Sequence, residues 1–197
     1  MTPTVSTEVG TETLALGISI AAGGSVAEVT VNPTVSAFVN TSNVMAEDID
    51  VKSSVSPKIP ANAWGVNAGT LAVGVSKSTV NLSPVVSSTV GGTVNAVSLD
   101  VDAQTKLPSS GRSVTAGTTG SSGGLIGVDA TRSEITHGGS VTSGLAASST
   151  MNVSGTTNVT ATSAATTMAM ADSFAAGIIA VGVSYAKSTS STTVTAS

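Results

Sequence analysis

Four hexapeptides recur along this chain at a nearly constant spacing: LALGIS (Leu14–Ser19), LAVGVS (Leu71–Ser76), GLIGVD (Gly124–Asp129) and IAVGVS (Ile179–Ser184). Their central glycines, Gly17, Gly74, Gly127 and Gly182, lie 57, 53 and 55 residues apart. Self-similarity at a fixed period marks a repeat architecture, in which one supersecondary unit buries its apolar face only by stacking on the next. The rest of the unit repeats more loosely. Val31–Ser54 lies over Leu82–Gln104, with Pro33 on Pro84, Val35 on Val86 and Asp50 on Asp100. A third copy over Thr136–Ser163 degenerates, and a fourth stops at STTVTAS, so the chain reads as about three and a half units of about 55 residues.

Each unit reads as strands. VTVNPTVSAFV and VNAVSLDVDA alternate apolar and polar residues by twos, the period of a half-buried strand. Gly and Pro punctuate turns at NP, SP, GG and SSGG. The best helical candidate, the Ala- and Met-rich Ala161–Gly177, sits between strongly β-type repeats and is read with them. Composition narrows the core: 40% of residues are hydrophobic but only 2% aromatic and 9% charged, so small and branched side chains must fill it. The expected fold is all-β, a parallel β-solenoid (β-helix) over residues 14–197, with 1–13 as an N-terminal extension able to add a strand to a neighbouring copy. The alternative is a pilin-like β-sandwich completed by a donated strand. In the solenoid the four glycines occupy equivalent places in successive units. Val73, Val75, Ile126, Val128, Val181 and Val183 form the buried ladder.

The stretch Gly69–Ala103, GTLAVGVSKSTVNLSPVVSSTVGGTVNAVSLDVDA, resembles the repeats of very large bacterial surface proteins, the filamentous-haemagglutinin-like and leukotoxin-type filamentous adhesins. In those repeats a small-apolar Gly-containing strand, a variable middle and a V-x-A strand ending in a polar turn follow one another. The resemblance covers most of Leu14–Ser197. It implies a β-solenoid projecting from a cell, and an extracellular or cell-surface setting. This chain is far shorter than those adhesins, which implies a fragment or a small subunit that polymerises.

Several functions find no support in the residues. The net charge is −4 and no basic patch occurs, so no nucleic-acid partner is expected. Without cysteine there is neither a disulfide framework nor a Cys-type zinc site. MTPTVSTEVG does not read as a signal peptide. The most apolar stretch, Phe174–Ala186, is too short to span a membrane and reads as a buried strand.

Candidate chemistry is sparse. His137, beside Gly138 and Gly139, reads as a turn or surface residue, and no Ser-His-Asp spacing suggests a triad. Asp48 and Asp50, like Asp100 and Asp102, form DxD pairs that put both carboxylates on one face of a strand, about 7 Å apart. With backbone oxygens, such a pair suits calcium. These four are the candidate metal ligands, set against a plain solvated face; no other cofactor is expected. Gly117–Gly124 lacks the Gly-Lys-Ser/Thr ending of a phosphate loop. Glycosylation sequons start at Asn40, Asn81, Asn152 and Asn158. Trp64 reads as a packing plug at a repeat junction, and Trp64 and Tyr185 stand too far apart in sequence to build a sugar platform.

The chain is therefore expected to be no enzyme but a structural extracellular protein, a fibre subunit or adhesin stalk. Its partners are copies of itself, head to tail, and a host or neighbouring-cell surface. The alternative is a binding module whose Thr/Ser rows, such as TTNVTATSAATT, form a flat ice- or glycan-binding face.

Overall fold

A computed structural model describes residues 4–197, and side chains for all of these except 4–6, 41 and 42. The strands are β1 (Thr4–Ser6), β2 (Val9–Leu16), β3 (Ile20–Val31), β4 (Thr34–Ala68), β5 (Leu71–Leu82), β6 (Val85–Thr105), β7 (Val114–Gly123), β8 (Ile126–His137), β9 (Ser140–Leu145), β10 (Thr150–Val153), β11 (Thr157–Ser163), β12 (Thr167–Ala176), β13 (Ile179–Ser190) and β14 (Thr193–Ala196). No helix occurs among the described residues, so none is long and apolar enough to cross a membrane.

Strand pairing is parallel throughout, between elements distant in sequence. The protein is a parallel β-solenoid, and the antiparallel sandwich is set aside. One sheet has the order β13-β8-β5-β3, and its first residues Ile20, Leu71, Ile126 and Ile179 are stacked partners. The other joins two faces, because β4 runs unbroken from one to the next. Its first part pairs with β6, and its last part pairs with β1, β2 and β7. β6 in turn carries β9, β10 and β11 on successive segments, which is why the third copy looked degenerate. β1 and the first part of β2 fall within the expected extension 1–13 and pair with β4 of the same chain, so described residues from Thr4 belong to the stack. Met1–Pro3 lie outside the described residues.

Two of the sequence expectations are corrected by the register. The alignment of Pro33, Val35 and Asp50 with the next unit holds: Val35 stacks on Val86 and Asp50 on Asp100. The four glycines align only in part, Gly74 and Gly182 sharing one column while Gly17 and Gly127 lie outside it. Gly74 stacks on Gly23 below and Asp129 above, and Asp129 stacks on Gly182. Gly127 belongs with Ala72 and Ala180, and Gly17 precedes β3 in the bend. For Gly127 the error is two residues. A slip of two keeps every side chain on the same face, so alternation alone cannot detect it.

The second correction concerns the core. Along β5, Ala72, Gly74, Ser76, Ser78, Val80 and Leu82 face inward, whereas Val73 is only half-buried and Val75 is exposed. Ile126, Val181 and Val183 are likewise exposed, and Val128 is half-buried. The cause is space. The sheet of β5 and the face formed by β4 and β7 approach so closely at the bend that a Cβ on Gly65 would lie 2.8 Å from Ser76 Oγ. Branched residues are excluded there and turn outward. Farther from the bend the gap widens, and Val80, Leu82, Ile135, Ile59 and Val114 fill it. A second core lies where β6 bends back on itself, with Val90, Val94, Leu99 and Val101 at its centre. Gly92 has φ 82° at that bend, a conformation that a side chain disfavours.

Candidate functional site

The acidic face is built by β4 and β6. Their register places Asp48 beside Ser98, Asp50 beside Asp100 and Lys52 beside Asp102. The strands bring the two DxD pairs side by side on one outer face, and a lysine joins them. Lys52 Nζ lies 2.7 Å from Asp100 Oδ2 and 3.1 Å from Asp50 Oδ1, bridging the two carboxylates. Its hydrogen bonds to Asp100 and then Asp50 hold its ammonium above the usual lysine range. Ser98 Oγ donates to Asp48 Oδ1 at 2.5 Å, and Asp102 accepts from Thr160 Oγ1 at 2.7 Å and from Gln104 Nε2. All four acids therefore have protein partners. Among the described residues no group of three or more His, Cys, Asp or Glu is placed to hold a metal ion.

Other outer polar residues on these strands also pair across the stack. Asn95 Nδ2 donates to Asn43 Oδ1 at 3.0 Å, and Asn152 Nδ2 to Asn95 Oδ1 at 2.9 Å, forming an amide ladder. Ser87 bonds Ser36 in the same way. Of the sequon asparagines, Asn152 is committed to this ladder while Asn40 is exposed.

Two ionisable groups lie inside the solenoid, and sequence reasoning missed both. Asp129 and His137 are each 1% exposed. The expected surface or turn histidine instead ends β8 facing inward, over Leu82 and under Ser190, with Nδ1 3.1 Å from Ser190 Oγ. Burial holds its imidazole below the usual histidine range. Asp129 has no hydrogen bond to either carboxylate oxygen. Burial pushes its carboxyl above the usual range, and the nearby Ser173 hydroxyl donates at 3.2 Å to the Asp129 backbone carbonyl rather than to the carboxylate. The alternation of β8 carried the signal: both positions share the inward phase of Ile135. The two residues stand eight apart on one strand, about 26 Å, so they do not form a catalytic pair.

Trp64 is not a packing plug. It lies 43% exposed on the outer face of β4. Phe174–Ala186 is not one buried strand but β12, a bend and β13, largely exposed.

The most open feature is the last coil. β13 is an edge of its sheet, β12 and β14 are edges of the other, and every residue of β13 is exposed, inward-phase ones included. One row of its N–H and C=O groups therefore has no strand beside it. Such an edge is a template for another strand. β3 forms the opposite edge of the same sheet. No protein-family model, curated protein or solved structure matches this sequence.

Proposed function

We propose that this chain is a structural, extracellular fibre subunit or adhesin stalk segment that assembles end to end by parallel strand pairing. The observation that carries the reading is the match between its two open edges. Continuing the register of the stack by one step sets β13 of one copy under β3 of the next. Ile179 then meets Ile20, Gly182 meets Gly23, Ser184 meets Ser25 and Lys187 meets Glu28. The same step sets β14 against β4, with Val194 on Val35. Apolar, small and oppositely charged residues each meet a suitable partner. One pair opposes the step, Asp172 against Glu12. The low net charge of −4 limits repulsion between copies. The assembly is heterologous and stacks copies along the solenoid axis, a geometry that extends as an open filament rather than closing into a ring. The chain acts as material rather than as a catalyst in this reading.

Negative-stain microscopy with sedimentation of the full chain over a concentration series tests it. Unbranched filaments that lengthen with concentration are expected. A species that stays monomeric at every concentration overturns the proposal.

A further inference from the structure

On the outer face formed by β4, β7 and β12, polar side chains do not pair as they do on β4 and β6. The register sets Trp64, Thr119 and Asp172 side by side on successive strands, and Asn62, Gly117 and Met170 beside them. These six residues line a recess of about 260 Å³. At its floor the Asn62 amide lies over Gly117, where a Cβ would come within 2.5 Å of Asn62 Oδ1. Trp64 and Met170, 43% and 47% exposed, rise on either side. Among the described residues, the side chains of Asn62, Thr119, Asp172 and Trp64 have no hydrogen-bond partner in the protein and face solvent. On the face of β4 and β6, by contrast, Ser36 and Ser87, Asn43, Asn95 and Asn152, and Asp102 and Thr160 bond one another across strands.

We infer that this recess is a binding site for the ring of a neutral sugar, a single pyranose unit of a glycan. The argument is independent of fibre formation and rests on the chemistry of the four free groups. Together they offer donors (amide N–H, hydroxyl, indole N–H) and acceptors (amide oxygen, hydroxyl, carboxylate), which is what vicinal hydroxyls require. A tryptophan face carries negative charge density that attracts the C–H bonds of a sugar's apolar side. Trp64 and Asp172 stand two strand spacings apart, roughly 9.5 Å, leaving room for one ring over Gly117 and Thr119. The volume is below that of a site for a drug-sized molecule, and suits one ring rather than several. A cationic guest would use the carboxylate and the indole face but leave the donors idle.

Trp64 is the only tryptophan, so its fluorescence reports on this recess alone. The full chain is titrated with methyl glycosides of glucose, galactose and mannose, and with tetramethylammonium chloride. A saturable change in emission with at least one glycoside is expected. Half-saturation should be on the order of 1 mM, as suits a ligand of about a dozen heavy atoms. Asn62→Ala and Asp172→Ala should each weaken it about tenfold, with unchanged melting because both positions are exposed. Gly117→Val, which fills the floor and removes no polar group, should abolish it. The inference is overturned if no glycoside perturbs Trp64, if the response survives Asn62→Ala, Asp172→Ala and Gly117→Val, or if only tetramethylammonium elicits it.

Discussion

Gly74 lies directly beneath Asp129 in the stack, and Asn67 reaches the same point from the facing sheet. A Cβ on Gly74 would collide with Asp129 Oδ1 and stand 2.5 Å from Asn67 Nδ2. The glycine is there because two polar side chains occupy its volume. Gly74→Val is expected to destabilise the fold by about 1–3 kcal/mol, as overpacking does. Gly10→Ala is the control, since nothing lies within 4 Å of its added Cβ. Urea melts of the two variants against the parent check this.

Asp129 makes stability fall as pH rises. Its carboxyl is raised by burial above its ordinary value of 3.8, so between that value and its folded pKa the native state holds the proton and the unfolded chain releases it. The native fold is at full strength below pH 3.8 in this respect and loses stability as pH climbs through the folded value. Asp129→Asn should remove that loss, raising the urea midpoint at pH 7 more than at pH 4. An equal shift at both pH values would contradict the assignment.

His137 acts in the opposite direction. Burial lowers its pKa below the ordinary 6.5, so its contribution is present above pH 6.5 and is lost as pH falls through the folded value. His137→Leu, which places a leucine over Leu82, should abolish this acid-side loss. Between pH 7 and pH 5 the variant's melting temperature should rise relative to the parent's, because the parent alone is losing stability; a constant difference would contradict the assignment.

The two faces of β5 should respond differently to substitution. Leu82→Ala empties a fully buried position and is expected to cost about 2–5 kcal/mol. Val75→Thr changes an exposed position and should stay within about 0.5 kcal/mol. Denaturant titration of both variants decides the matter.

Charge reversal tests the proposed joint. Lys187→Glu puts a like charge against Glu28 and should shorten filaments, and it should also lower the monomer's melting slightly because Lys187 stacks beside Glu134 in the same chain. Adding Glu28→Lys should restore length. Filaments indifferent to either change would mean that β13 and β3 are not the contacting edges.

Much of the fold was legible in the sequence because stacking imposes a period and strands impose alternation. Val35 and Asp50 found their partners, Val86 and Asp100. What alternation could not supply was phase. In β5 the residues at odd positions, Leu71, Val73 and Val75, are the more hydrophobic, yet they point outward. Only the distance between two facing sheets, fixed by Gly65 against Ser76, decides that Ala, Gly and Ser go inside. The sugar recess was hidden for a related reason. Trp64, Thr119 and Asp172 are scattered in the chain and become neighbours only once the lengths of the intervening coils are known.

Those lengths differ most at one corner. Val55 stacks on Thr105 and Ile59 on Val114, so the three residues Ser56, Pro57 and Lys58 of one coil correspond to the eight of 106–113 in the next. The longer corner carries the exposed run Ser109–Arg112, with Gly111 at φ 79°. The ladders on both sides continue in register despite the extra residues. In engineering terms this corner is slack in an otherwise fixed ruler: a peptide epitope or a labelling cysteine inserted between Ser109 and Gly111 would be displayed at one side of the stack without shifting any strand against its neighbour.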